Sequence, residues 1–201
     1  MIRAIFLDVD GTLISFSTHE IPASALRALA QAHERGVRLF IATGRAANDL
    51  GPLEGIPYDG VVSLNGARCV ANDGRVVSLH PIPRADFERA LALSEEQGFA
   101  MGLELEEGVF VNRVTPDVER VAHMVAHPVP EQTDLRELFG RVECCQLCFY
   151  FDAETQRRVM AQLPALAASR WCPIFADVNV AGIDKATGME EFMRSYGFSA
   201  A

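Results

Sequence analysis

Two aspartates at the end of an apolar segment are the residues of this chain most able to do chemistry. Asp8 and Asp10 lie in the sequence Asp-Val-Asp-Gly-Thr-Leu, directly after the apolar segment 2–7. Side chains at positions i and i+2 of an extended chain point the same way, so the two carboxylates face one site. Two close like charges are tolerated when a cation lies between them or when one is protonated, and Mg²⁺ prefers oxygen ligands of this kind. A solvated turn with Asx hydrogen bonds explains the same residues without chemistry, and the spacing alone leaves both interpretations open.

Polar residues also follow the next two apolar segments of the chain. Segment 37–42 ends at Thr43, Gly44 and Arg45, and segment 60–64 ends at Asn65 and Gly66. Helical spacing of apolar residues between the first two segments predicts parallel pairing of these strands. Ligands of parallel sheets bind beyond the carboxyl ends of the strands, so we expect these residues to share one rim with the aspartates.

A lysine near the end of the chain completes the set of candidate residues. Lys185 lies in the sequence Gly-Ile-Asp-Lys-Ala-Thr-Gly, just before a predicted helix at 189–196. A lysine at the start of a helix is well placed to neutralise a phosphate while helix N–H groups contact its oxygens. An ordinary exposed lysine explains the same pattern, and Asp184 is interpreted as a turn residue or helix N-cap.

The remaining elements predict an α/β protein with a second α/β unit inserted into the first. Residues 1–80 and 181–201 are predicted to form a Rossmann-like parallel-sheet core, and residues 81–180 the insertion. The predicted elements that follow the third strand are a hairpin at 68–79, helices at 84–97, 115–127 and 153–163, and strands at 99–106, 109–113, 142–151 and 171–180.

Composition limits the classes of partner. The net charge of −9 and the absence of a Lys/Arg cluster argue against nucleic acid or an anionic membrane as partners. Five cysteines in no framework spacing suit a reducing compartment, and the cytoplasm is the expected location. Three of them crowd into segment 144–148, where the aromatic continuation favours a buried strand over a metal or redox site. The sequence does not indicate an oligomeric state.

In their order along the chain, these motifs resemble those of the haloacid dehalogenase-like phosphatases. The resemblance rests on Asp-x-Asp-Gly-Thr, Thr-Gly-Arg, Asn-Gly-Ala, the α/β insertion and Gly-x-x-Lys-x-x-Gly, and it covers essentially the whole chain. It is strongest to the Cof-type branch, in which the insertion is a C2-type cap that determines substrate specificity. The resemblance implies a Mg²⁺-dependent phosphatase that hydrolyses small phosphorylated metabolites, sugar phosphates first, through an aspartyl-phosphate.

The resemblance also implies a role for each candidate residue. Asp8 matches the nucleophile and Asp10 the general acid and base, and both are expected to bind Mg²⁺, Asp10 through its main-chain carbonyl. Thr43 matches the hydroxyl and Lys185 the cation that contact the transferring phosphoryl group. Substrate-contacting positions comprise Val9, whose N–H would reach the phosphoryl oxygens, and the rim residues Gly44, Arg45, Asn65 and Gly66. For Arg45, a structural salt bridge is the open alternative.

One motif of the family has no counterpart in these 201 residues. Members typically carry Gly-Asp-x-x-Asn-Asp after the lysine helix, on another core strand, where it supplies acidic Mg²⁺ ligands. We therefore expect the core to be incomplete at its C-terminal end, the first strand to form an open edge, and Mg²⁺ binding and turnover to be weak. A fragment of a longer phosphatase explains this better than a naturally shortened protein.

Two other classes of protein use similar residues. A non-catalytic phosphoryl-ligand-binding protein needs Thr43 and Lys185 but no metal, and is the stronger alternative. A signalling receiver domain combines acidic residues, a threonine and a lysine, but it has no inserted cap. The polar residues Glu104, Glu106, Asn112 and Arg113, near a predicted strand turn, are candidates for substrate discrimination or for plain surface.

Overall fold

A computed structural model describes residues 2–15, 17–18, 20–53 and 55–199. Its strands are β1 (Ala4–Leu7), β2 (Arg38–Ala42), β3 (Gly60–Ser63), β4 (Arg68–Ala71), β5 (Val76–Leu79), β6 (Ala100–Leu105), β7 (Gly108–Val111), β8 (Glu131–Gln132), β9 (Gln146–Tyr150), β10 (Leu166–Cys172) and β11 (Phe175–Val180). The helices are α1 (Ala23–Glu34), α2 (Arg84–Gln97), α3 (Pro116–Met124), α4 (Leu135–Phe139), α5 (Ala153–Met160) and α6 (Lys185–Tyr196). The fold is of the mixed α/β class that the sequence predicts.

The chain divides into two compact units, residues 1–79 with 183–201 and residues 80–182. The prediction placed the boundaries after residues 80 and 180. The predicted core ranges also contain residues that lie outside the described part of the chain, namely Met1, Phe16, His19, Glu54, Ala200 and Ala201.

The first unit is a five-stranded sheet in the order β1-β2-β3-β4-β5, with helices on both faces. The pairs β1–β2 and β2–β3 are parallel, and β3–β4 and β4–β5 are antiparallel. Successive residues of β2 point to opposite faces. Accordingly, Leu39 and Ile41 belong to the cluster that includes Leu29 of α1, whereas Phe40 packs with Phe192 of α6.

The second unit is a six-stranded sheet in the order β10-β11-β9-β6-β7-β8, antiparallel except for the β7–β8 pair. The cluster that includes Phe87 of α2, Leu135 of α4 and Val159 of α5 covers one face of this sheet. The opposite face packs in part against Val118 and Val121 of α3.

Three details differ from the predicted elements. The single strand predicted at 171–180 is a hairpin of β10 and β11, because Pro173 and Ile174 separate two antiparallel arms. The short elements β8 and α4 were not predicted. Helix α6 begins at Lys185 rather than at Met189, with Gly188 inside its first turn.

Among the described residues, no helix is both long enough and apolar enough to cross a membrane.

Candidate active site

The predicted rim residues lie where the parallel strands of the first unit end. Asp8 follows β1, Thr43 follows β2, and Asn65 lies in the single 3₁₀ turn that follows β3. Backbone hydrogen bonds join the last two segments, since the Thr43 N–H donates to the carbonyl of Val62 at 2.8 Å and the Asn65 N–H donates to the carbonyl of Thr43 at 3.0 Å. The segments that carry Thr43 and Asn65 therefore have a fixed relative position.

Asp8 accepts two hydrogen bonds on one carboxylate oxygen. Its Oδ1 atom lies 2.8 Å from the backbone N–H of Val9 and 2.8 Å from Nζ of Lys185. The Asp8 side chain is 44% exposed and that of Lys185 is 32% exposed, so solvent reaches both groups. The N–H of Val9, predicted to contact a phosphoryl group, donates to the Asp8 carboxylate in this structure.

Lys185 reaches Asp8 because α6 starts at that position. Asp184 is the N-cap of α6, as interpreted from the sequence, and its Oδ1 accepts the backbone N–H of Thr187 at 2.8 Å. This backbone hydrogen bond lowers the pKa of Asp184. An N-cap fixes the residue at which a helix begins, so Asp184 places the lysine that follows it.

Two glycines let the start of α6 approach the turn after β3. Gly66 has φ of +98°, and a Cβ atom there would lie 1.9 Å from the carbonyl oxygen of Asp184. A Cβ atom at Gly188 would lie 2.5 Å from Val62 and 3.0 Å from the sulfur of Cys69. The absence of side chains at these two positions brings the lysine turn against the rim.

Thr43 is buried, with only 1% of its surface exposed. Its Oγ1 accepts the backbone N–H of Arg45 at 3.1 Å. Because a hydroxyl group both accepts and donates, Thr43 retains a proton that it can donate to a phosphoryl oxygen.

Asp10 forms a bidentate ion pair with Arg45. Nη2 of Arg45 lies 2.8 Å from Oδ1 of Asp10, and Nε lies 3.0 Å from Oδ2. The remaining nitrogen, Nη1, contacts the carbonyl and Oδ2 of Asp49, both at 3.4 Å. The hydrogen bond to Asp10 is the main cause that raises the pKa of Arg45. The salt bridge that the sequence left open for Arg45 is therefore present, and its partner is the predicted acid and base.

Asn65 adopts a left-handed conformation beside Gly44. Its φ is +55°, a conformation that asparagine tolerates better than most residues. A Cβ atom at Gly44 would lie 3.1 Å from Oδ1 of Asn65. Gly44 thus leaves room for the Asn65 amide at the rim, and Gly66 leaves room for the lysine turn.

The donors of the aspartate pair suit Mg²⁺ in kind but are few. Oδ2 of Asp8 and the main-chain carbonyl of Asp10 are hard oxygen ligands, whereas both carboxylate oxygens of Asp10 contact Arg45. Mg²⁺ takes six ligands and usually retains several waters. The described residues at this rim could therefore hold the ion only together with water or substrate oxygens.

Within the described residues, the group of three ligating side chains close enough to hold a metal lies in the second unit. Glu104, Cys148 and Asp177 project from β6, β9 and β11, and their ligand atoms are within 4.8 Å of one another. Gln146 links the two carboxylates, because its Nε2 lies 2.7 Å from Glu104 and 3.2 Å from Asp177. Glu104 and the cysteines of segment 144–148 were noted in the sequence. The three residues lie on strands far apart along the chain, so no local spacing predicted that they come together.

All five cysteines are buried and free of disulfide bonds. Cys69 lies in the first unit, and Cys172 and the three cysteines of segment 144–148 lie in the second. Burial raises the pKa of Cys144 to about 12 and that of Cys148 well above its usual value. Thiols with such pKa values are unreactive at neutral pH.

Asn112, a candidate for substrate discrimination, has a structural role. Its Oδ1 accepts the backbone N–H of Met101 at 2.9 Å, and its Nδ2 donates to Oγ of Ser94 at 2.9 Å. Ser94 in turn donates to the carbonyl of Phe99 at 2.7 Å. Both ends of the amide are thus used to join α2, β6 and the segment after β7.

Comparison with known proteins identifies the family. The model of the haloacid dehalogenase-like hydrolases matches residues 5–201. The chain belongs to this family. The sequence resemblance is thereby confirmed, and the geometry above describes the motif residues of a hydrolase of this family.

Similar proteins include characterised phosphatases. The structure of BT1666 from Bacteroides thetaiotaomicron, described as a phosphatase of this superfamily, is 53% identical with a TM-score of 0.95, over 99% of this chain and 74% of that one. BT4131, described as a subclass IIB sugar phosphatase, is 30% identical with a TM-score of 0.87, over 98% of this chain and 77% of that one. The putative phosphatase YkrA of Bacillus subtilis is 25% identical over 98% of this chain and 75% of its own length.

Proposed function

We propose that this hydrolase is a Mg²⁺-dependent phosphatase of small phosphorylated metabolites that works through an aspartyl-phosphate on Asp8. The observation that carries the proposal is the 2.8 Å contact between Lys185 and Asp8 at the end of β1. A carboxylate beside a fixed cation is suited to attack the phosphorus atom of a phosphoryl group, because the cation neutralises the charge on the phosphoryl oxygens. Membership of a family in which two similar solved structures are described as phosphatases supports the same reaction.

The first displacement forms a bond between Asp8 and phosphorus. An oxygen of the Asp8 carboxylate attacks, the bond between phosphorus and the ester oxygen breaks, and Asp10 gives its proton to the leaving oxygen. The Thr43 hydroxyl and the Lys185 ammonium contact the phosphoryl oxygens during this step. In the second displacement, the Asp10 carboxylate removes a proton from water, the water attacks phosphorus, and phosphate and free Asp8 are released.

Mg²⁺, when bound through Asp8 and the main-chain carbonyl of Asp10, would neutralise phosphoryl charge. The protein's own groups hold the reactants in line, and this positioning supplies much of the catalysis in phosphoryl transfer.

The proposed substrates are sugar phosphates, and the proposed specificity unit is residues 80–182. The first proposal is supported by the 30% identity to a protein described as a sugar phosphatase. The second is supported by the separation of this unit from the one that carries Asp8 and Lys185. The five free cysteines support a cytoplasmic location, and the net charge of −9 supports small-molecule partners rather than nucleic acid.

The test is phosphate release from a panel of hexose and pentose phosphates with added Mg²⁺. We expect turnover that EDTA abolishes and that Asp8→Asn reduces to background, with a phosphoryl group found on Asp8 by mass spectrometry after acid quenching of the wild type. Asp73→Asn is the matched control, since Asp73 only accepts the N–H of Arg75 in an exposed turn of the same unit. Thermal stabilisation by a sugar phosphate without any phosphate release would replace this proposal with non-catalytic phosphoryl-ligand binding.

A further inference from the structure

Arg45 links two of the residues that the proposed reaction uses. Its backbone N–H donates to the Thr43 hydroxyl oxygen, and its guanidinium contacts both carboxylate oxygens of Asp10. The backbone of Arg45 is itself held to the next loop, because its carbonyl accepts the N–H of Leu64 at 3.0 Å. The main chain of Arg45 is therefore held in place, while its side chain contacts Asp10, which lies 35 residues earlier in the chain.

The contact with Asp10 fixes an orientation rather than only a distance. Two parallel N–H···O bonds from one planar guanidinium place both oxygens of a carboxylate in a defined plane. The third contact, from Nη1 to Asp49, further restrains the guanidinium. The Arg45 side chain is 25% exposed, which makes the pair less screened than a fully exposed one.

Asp10 needs such a restraint because of its place in the chain. It comes directly before a sharp turn at Gly11, whose φ is +77°, and its side chain is 44% exposed. An exposed carboxylate on a loop samples several rotamers, whereas proton transfer requires one orientation. Of the contacts described above, only those with Arg45 restrict rotation of the Asp10 side chain.

We propose that Arg45 is a positioning residue that orients the side chain of Asp10, which in its protonated form transfers a proton to the leaving group. This inference rests on the proposed function, and it replaces the expectation that Arg45 contacts substrate. The guanidinium acts through Asp10, and Asp49 holds the guanidinium in place. Arg45 therefore affects the step in which the ester bond breaks and a proton reaches the leaving oxygen.

The test compares two esters that differ in their need for that proton. p-Nitrophenolate leaves as a stable anion, whereas the alkoxide of a sugar phosphate leaves poorly unless it is protonated. For Arg45→Ala we expect kcat/KM to fall about 100-fold with the sugar phosphate, the low end of what acid–base catalysis contributes. With p-nitrophenyl phosphate the fall should be several-fold at most. Arg45→Lys should restore part of the loss, because lysine supplies the charge without the planar fork.

A double-mutant cycle tests whether Arg45 acts through Asp10. If it does, Arg45→Ala costs little in an Asp10→Asn background, so the two losses are strongly non-additive. Arg38→Ala is the control, because Arg38 forms an ion pair with a different aspartate, Asp59, in the same unit. The control should leave the ratio of the kcat/KM values for the two esters unchanged.

Two results would overturn the inference while the proposed function stands. They are an equal fall in kcat/KM for both esters in Arg45→Ala, which together with a raised KM indicates substrate contact, and additive losses in the double-mutant cycle. A wild-type protein that releases phosphate from neither ester would instead overturn the proposed function, and this inference with it.

Discussion

Lys185 and Asp8 form an ion pair 2.8 Å long between residues that are 177 positions apart in the chain. The whole second unit lies between them in sequence, so the pair exists only when both segments of the first unit have come together. The family resemblance implied a role for each residue. The structure adds that Lys185 and the backbone N–H of Val9 contact the same atom, Oδ1 of Asp8.

Replacing Lys185 should impair turnover far more than folding. For Lys185→Ala we expect kcat to fall about 100- to 1000-fold, the usual cost of removing one donor that stabilises transition-state charge. The unfolding free energy should change by less than about 1 kcal/mol, since the pair is partly exposed. Steady-state kinetics and urea unfolding measure the two effects. Arg194→Ala, which breaks an exposed pair with Glu191 on the same helix, should change neither.

Gly66→Ala should disrupt the site through a collision. The new Cβ atom would lie 1.9 Å from the carbonyl oxygen of Asp184, the residue before Lys185. We expect a loss of about 3 kcal/mol or more in unfolding free energy, because this backbone cannot shift without moving the start of α6. Residual folded protein should have little activity.

Gly74→Ala separates that collision from backbone strain. Gly74 also has a positive φ, +83°, but a Cβ atom there would meet nothing within 4 Å. Its expected cost is about 1 kcal/mol, from the left-handed conformation alone. Equal losses in the two variants, measured by denaturant unfolding, would show that the close approach at Gly66 has no energetic weight.

The parallel strands and the rim could be read from the sequence because their signals are local. Apolar runs that end in Asp8, Thr43 and Asn65 predict strands with polar residues at their ends without any knowledge of partners. The burial of the first strand could not be predicted in the same way, since all four residues of β1 are only partly buried. The hairpin of β10 and β11 was harder to read. Strand β10 is Leu-Ala-Ala-Ser-Arg-Trp-Cys, in which alanine and serine have low strand propensity.

The start of α6 was misplaced because a glycine has two possible meanings. From the sequence, Gly188 was interpreted as the end of a glycine-bounded turn before the helix, but it lies in the first helical turn, where a side chain would collide with Val62 and Cys69. The sequence left a salt bridge open for Arg45 but did not identify Asp10 as its partner. That pairing depends on side-chain rotamers and on a loop conformation that no spacing rule specifies.

Asp184→Ala should lower both stability and turnover. Removing the N-cap of α6 should cost about 1 kcal/mol at neutral pH, and a frayed first turn displaces Lys185. The folded-state pKa of Asp184 is lowered by the N–H of Thr187. The ionised cap therefore stabilises the protein above the unfolded pKa of about 3.9, and that stabilisation is lost as the pH falls through the folded pKa. The difference in unfolding free energy between wild type and Asp184→Ala should therefore become smaller as the pH is lowered, which urea unfolding at acidic pH measures.

Asp152→Ala is the matched control for that prediction. Asp152 caps α5 in the second unit, and its Oδ1 accepts the N–H of Thr155 at 2.7 Å, the same geometry as in α6. Its loss should lower stability with the same pH trend, because its pKa is lowered by the same kind of hydrogen bond. Hydrolysis of p-nitrophenyl phosphate at saturating substrate should be retained in Asp152→Ala. A parallel fall in both variants would mean that activity follows stability and not the position of Lys185.

Asn112→Ala should destabilise the second unit without removing a substrate contact. The variant loses the acceptor for the Met101 N–H and the donor to Ser94, and it leaves partly buried polar atoms without those partners. We expect a loss of about 1–3 kcal/mol in unfolding free energy, against less than about 0.5 kcal/mol for Asn72→Ala at an exposed turn. At a temperature where both variants are folded, KM for a sugar phosphate should match the wild type, because both ends of the Asn112 amide are used inside the unit. A raised KM with unchanged stability would assign Asn112 to substrate discrimination instead.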